Sequence, residues 1–161
     1  MSRSGVFFTA DTHFAHVNVL RLSRRPFEDI VEMREMFVTN WNAVVQPEDT
    51  VYHLGDVHWS RSPKEISNLM RRFNGRKVLI CGNHDTPDHL RDSFDEIHEC
   101  RLRIDVDGQT IILDHYPLVE WHGFWHGTWH LHGHVHGSMP DCPHVFRLLD
   151  LPAIYKVPEN Q

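Results

Sequence analysis

The segment "VLICGNHDT", residues 78–86, sets four apolar residues directly against Gly82, Asn83, His84 and Asp85. The apolar half reads as a strand buried on both faces, as in a parallel sheet. The polar half is a group no core accepts unless each member has a partner. A strand finishing in an amide, an imidazole and a carboxylate predicts an α/β sheet with a site at its strand tips.

Neighbouring stretches repeat the design. "GVFFTAD" (5–11) and "DTVYHLGD" (49–56) are short apolar strands closing on polar residues. Between the strands, "DIVEMREMFVTNWNAVV" (29–45) places Ile30, Met33, Phe37, Val38, Trp41 and Val45 at helical spacing. "SPKEISNLMRRFNG" (62–75) has a Ser cap, Pro in the first turn and Gly past its end, the punctuation of a helix. "TPDHLRDSF" (86–94) starts another. Strands alternating with helices predict parallel βαβ units. After residue 95 a hairpin is expected around Asp107-Gly108, then an alternating stretch at 128–137 and a last strand in "HVFRLL" (144–149). That half reads as mainly antiparallel. The tail "DLPAIYKVPENQ" is a poor strand and leaves an edge open to self-association. The whole, 1–161, reads as one domain.

Composition narrows the function classes. Of 161 residues 40% are hydrophobic and 24% charged, enough for a real core and unlike a disordered chain. A formal net charge of −6 without a basic run argues against a binder of long nucleic acid. Three cysteines without a CxxC pair argue against a disulfide framework or a thiolate zinc site. With no signal peptide and no membrane span, the cytoplasm is the expected compartment. Fifteen histidines, several beside Gly and Asp, make metal ligation the hypothesis to test.

Five blocks carry it: "ADTH" (10–13), "LGD" (54–56), "CGNHD" (81–85), "LDHYP" (113–117) and "HGHVH" (132–136). In extended chain, residues two apart point the same way, which pairs Asp11 with His13 and His134 with His136. Imidazole, carboxylate and amide donors without thiolate suit Mn²⁺, Fe or Zn²⁺, and the pool is too large for one cation. Any single block would more often be a cap or turn. All five together are harder to dismiss.

The ordered set resembles the calcineurin-like metallophosphoesterase superfamily, with flanking text similar to its small single-domain bacterial and phage members. The resemblance spans residues 11–136. It implies a β-sandwich flanked by helices, in αββα layers. It assigns Asp11, His13 and His136 to one divalent metal ion and Asn83, His115 and His134 to a second, with Asp56 bridging. His84 faces the substrate. The metal would be Mn²⁺ first, with Fe, Zn²⁺, Co²⁺ or Ni²⁺ as alternatives. The implied reaction is hydrolysis of a small phosphate ester, such as a nucleotide. Two cations roughly 3.5–4 Å apart would acidify a bridging water for in-line attack, with His84 assisting the leaving group. Because "VHWSRS" follows Gly55-Asp56, the Asp-Arg-Gly continuation of the superfamily's protein phosphatases is missing, which disfavours that activity.

Other residues invite a role. His16 at the rim and Arg25 are candidate substrate contacts, although Arg25 before Pro26 also suits a turn. Asp85 is expected to cap or fix a loop. His53, His58, His130 and His132 read first as structural, with a supporting contact to the centre as the alternative, and the aromatic stretch 121–129 as a packed loop or dimer patch, or else as a wall on which a nucleobase stacks. The competing reading is a metal-binding interaction module on the same fold.

Overall fold

The computed structural model describes residues 4–136, 138, 145–147 and 155–156. Strand β1 (Val6–Thr9) leads through the one-turn helix α1 (Val19–Leu22) and the long α2 (Ile30–Val44) to β2 (Thr50–His53). Then come α3 (Pro63–Met70), β3 (Arg76–Ile80), α4 (Pro87–Leu90) and β4 (Glu96–His98). These strands form one sheet in the order β4-β3-β2-β1, all parallel. A two-residue strand drawn from the tail, Tyr155–Lys156, adds antiparallel to the open edge of β1. The poor strand expected there is therefore short but paired; the rest of the tail lies outside the described residues.

The second sheet is built from β5 (Leu102–Val106), β6 (Gln109–Leu113), β7 (Trp129–His132) and β8 (Val145–Arg147), in that order. The hairpin at Asp107-Gly108 is present, and both turn residues have positive φ. Only β5 and β6 run antiparallel, however. β6, β7 and β8 are parallel neighbours, which corrects the expectation of a mainly antiparallel second half. Parallel pairing sets the carboxyl ends of β1, β2 and β3 together at one end of the first sheet and those of β6 and β7 together at one end of the second.

Alternation along the strands explains the layers. Phe7, Val51 and Leu79 point to one face of the first sheet and pack with Met33, Phe37 and Trp41 of α2 and with Ile66 and Met70 of α3. Phe8, Leu54 and Ile80 point to the other and meet Ile111, Leu113 and Leu131 of the second sheet. One core thus lies between helices and sheet and the other between the two sheets. On the outer face of the second sheet, Trp121 packs on His130, and a short 3-10 turn follows at Phe124–His126.

Helix ends follow local chemistry. Asp29 caps α2 by accepting from Val31 and Glu32, and Ser62 caps α3 through Glu65. Helix α3 stops at Met70, earlier than Gly75 suggests. Gly75, at φ 85°, instead redirects the chain into β3. Among the described residues no helix is long and apolar enough to cross a membrane.

Candidate metal centre

The tips of β1 and β2 remain stitched together beyond the sheet. The amides of Asp11, His13 and Phe14 donate to the carbonyls of Gly55, Asp56 and Val57 at 2.9–3.0 Å. Thr12 locks the same pair of loops from its side chain, donating to the Val57 carbonyl at 2.9 Å and meeting buried His53 Nε2 at 3.0 Å. The tip of β3 is tied in by Asp85, whose carboxylate accepts from the amides of Asp56, Val57 and Gly82 at 2.8–2.9 Å. Burial pushes this carboxyl upward while the amide bonds pull it down. Its role is therefore loop fixing; the cap position of α4 belongs to Thr86.

Glycine is required where these loops touch. A Cβ on Gly82 would stand 2.7 Å from the Asp56 nitrogen and 2.9 Å from His115 Cε1. The need is close approach; of the glycines flanking Asp56, it is Gly55 that has positive φ. A Cβ on Gly133 would likewise press on the Asp11 carboxylate and on Ala10.

Within this frame the donor atoms converge. Asp11, His13 and His136 offer one group of ligand atoms, and Asp11, Asp56 and His115 a second, each within 4.8 Å of one another. His13 Nε2 lies 3.3 Å from His136 Nε2, 3.9 Å from Asp11 Oδ1 and 3.7 Å from Asp56 Oδ2. Asn83 Oδ1, His115 Nε2 and His134 Nδ1 make a triangle with sides of 3.1, 3.1 and 3.2 Å. Asp56 Oδ2 is 3.6 Å from His115 Nε2, so it faces both clusters. The three shared carboxylate and imidazole residues Asp11, Asp56 and His115 are at most 2% exposed.

Donor chemistry tests whether cations fit. His115 Nδ1 donates to the Leu54 carbonyl at 2.7 Å, which leaves Nε2 as a bare lone pair aimed at the amide oxygen of Asn83. Burial, followed by repulsion from His115, holds His134 below the ordinary histidine pKa. An amide oxygen and two ring nitrogens about 3 Å apart form a set of donor atoms that one positive centre among them would satisfy together. Ligand bonds of about 2.0–2.2 Å give that spacing. The site fits a hard or borderline cation in each cluster.

All seven ligand candidates from the sequence are brought together, but by a different route from extended-chain alternation. Asp11, His13, Asp56, His134 and His136 all have φ between 47° and 67°. These are turns in the left-handed region, and the loop-to-loop hydrogen bonds hold them there. His84 joins neither donor group. Its ring stands 5.9 Å from that of His13 and 4.7 Å from Trp59, and its amide donates to Asp56 Oδ1 at 3.0 Å. His16 lies at the rim, stacked on Trp59 with centroids 4.0 Å apart, and burial lowers its pKa.

Arg25 is a correction. It is 5% exposed, and its guanidinium donates to the carbonyls of Thr12, at 2.8 Å, and Asp11, which holds it under the first loop instead of at an open surface. Its cation also approaches the ring of Phe37. Arg25→Met should cost about 2–4 kcal/mol, because two buried carbonyls lose charge-assisted donors. A fall in melting temperature of roughly 5–15 °C in thermal unfolding would register it. Ser23, whose Oγ lies 3.0 Å from His136 Nδ1 and aims Nε2 inward, carried no sequence signal at all. His58 and His130 are structural as expected. The first accepts from the Ser60 amide, and the second bonds the Ile112 carbonyl and the Leu118 amide.

Comparison with known proteins agrees with this geometry. An uncharacterized protein of Methanocaldococcus jannaschii is 41% identical over 86 residues, 53% of this chain and 49% of that protein. The Gene 66 protein of Mycobacterium phage L5 is 31% identical over 138 residues, covering 74% of this chain and 66% of its own. The chain thus spans about half and two thirds of these relatives. The crystal structure of a protein of unknown function from Aquifex aeolicus superposes with a TM-score of 0.74 at 30% identity, covering 92% of this chain and 90% of that one. The profile of the calcineurin-like phosphoesterases matches residues 5–160. With strand tips, donor clusters and profile in register, this chain belongs to the calcineurin-like phosphoesterase family.

Proposed function

We propose that the chain is a dinuclear metal-dependent phosphoric ester hydrolase acting on a small phosphate ester. The observation that carries the reading is the pair of donor groups sharing Asp11, with Asp56 Oδ2 facing a histidine of each cluster. Asp11, His13 and His136 would hold one divalent ion, Asn83, His115 and His134 the other, and Asp56 would lie between them. Mn²⁺ suits a set of oxygen and imidazole donors without thiolate. Bound there, two such ions neutralise phosphoryl oxygens and make water a stronger nucleophile.

The chain's own residues supply the rest. Asp85, Thr12 and Arg25 fix the loops so that the donor atoms meet without rearrangement. His84, outside the clusters yet beside them, would pass a proton to the departing ester oxygen. Attack opposite that oxygen places the leaving alcohol on the His84 side.

The test is metal occupancy. Titrated with Mn²⁺, the wild-type chain should take up two ions, and Asp56→Asn one or none, as read by calorimetry and elemental analysis. Two ions retained by Asp56→Asn at wild-type affinity would overturn the reading.

A further inference from the structure

A cavity of about 460 Å³ opens beside His84 and Asn83, between the 58–61 loop and α4. Its volume is in the range of sites that enclose a ring-bearing small molecule. Its lining is mainly polar, with Ile66 and Leu90 of the core closing its floor. Trp59 forms one wall, its indole clamped by the stack on His16 and by contact with His84. Arg61 and His89 bring positive or protonatable groups to it. No carboxylate among the described residues pairs with Arg61. The acid in the lining, Asp85, already accepts from three backbone amides.

Asn83 and His84 both line this cavity, and Asn83 also belongs to the donor cluster, so a leaving group on the His84 side of a phosphoryl group at the cluster would extend into the cavity. Resting on the hydrolase reading above, we infer that the cavity seats the leaving alcohol. The substrate is then an ester whose departing group carries a ring and its own negative charge, the chemistry of a nucleotide hydroxyl. Simple alkyl alcohols would leave Trp59 and Arg61 unused. The step is plain hydrolysis. A water oxygen bonds to phosphorus, and the bond from phosphorus to the leaving oxygen breaks with its electron pair on that oxygen. The leaving oxygen gains a proton, and the phosphate product keeps the water's oxygen and releases its remaining acidic proton to solvent.

The experiment uses Mn²⁺-loaded full-length chain and two diesters of thymidine 3′-phosphate. One has methanol as leaving group; the other has the 5′-hydroxyl of thymidine 3′-phosphate. Bis(p-nitrophenyl) phosphate reports hydrolase activity as such. The nucleotide ester should show kcat/KM at least tenfold above the methyl ester. Arg61→Ala should raise KM for the nucleotide ester several-fold more than for the methyl ester. Thr86→Trp, which fills the cavity from α4, should collapse the preference, with two Mn²⁺ still bound in both variants. Equal kcat/KM for the two esters, with bis(p-nitrophenyl) phosphate still cleaved, overturns the leaving-group site and spares the hydrolase. No cleavage of any of the three, nor of the monoester p-nitrophenyl phosphate, by metal-loaded protein overturns the hydrolase reading, and this inference with it.

Discussion

His84→Ala should lower kcat by about 10²- to 10⁴-fold while the protein still binds its metal ions. The imidazole stands next to the donor clusters without belonging to either. Its hydrogen bond to Asp56 is made by the backbone amide, so alanine preserves that contact. On the proposed reading, what would be lost is the proton donor for the departing oxygen. The size of the loss should track the leaving group. An alkyl ester, whose alkoxide needs a proton, suffers most; a p-nitrophenyl ester, whose phenolate leaves unaided, suffers least. Steady-state kinetics on such a pair, with metal content measured on the same samples, checks both halves. Equal losses on the two esters would remove His84 from proton transfer.

The second large effect is on stability in acid. Burial, the leading cause in each case, lowers His53 to about 3 and both His58 and His130 to about 4. Repulsion from His115 adds to the fall at His53, whereas Glu65 opposes it at His58 and the Ile112 carbonyl at His130. In the unfolded chain all three titrate near 6.5. A folded value below the unfolded one means the unfolded state binds more protons as pH falls. The stability these residues allow is therefore complete above about pH 7 and drains away from pH 6.5 down to about 4 for His58 and His130 and about 3 for His53. At pH 4.5 each withdraws on the order of 2 kcal/mol, and together they approach the whole stability of an ordinary domain. Urea unfolding of metal-free protein at pH 7.5 and 4.5 should show it. An unchanged midpoint would contradict the expectation.

Much of the site was legible because its chemistry is punctual. Each ligand block closes an apolar run, so strand tips and donors could be read together, as at Ile80 and Asn83 or Leu113 and His115. The alternation argument reached the right partner for Asp11 and His13 for the wrong reason, and it paired His134 with His136 although the two face different clusters. Left-handed backbone is imposed by hydrogen bonds between loops distant in sequence, which local periodicity does not contain. Arg25 misled for a similar cause. A cation near a phosphate site invites substrate binding, and only the path of the chain reveals that it lies under the loop, against Met33 and Phe37. The parallel order of β6, β7 and β8 was hidden because an alternating strand looks the same in either direction.

The five left-handed residues have a further implication. A non-glycine side chain held there costs about 1 kcal/mol or more. Glycine would relieve that burden at every one of these positions, yet only Asp and His occupy them. Glycine at His13 or His136 would ease the backbone while taking a ligand atom from the cluster. Their present identities therefore record a standing conflict between durability and chemistry.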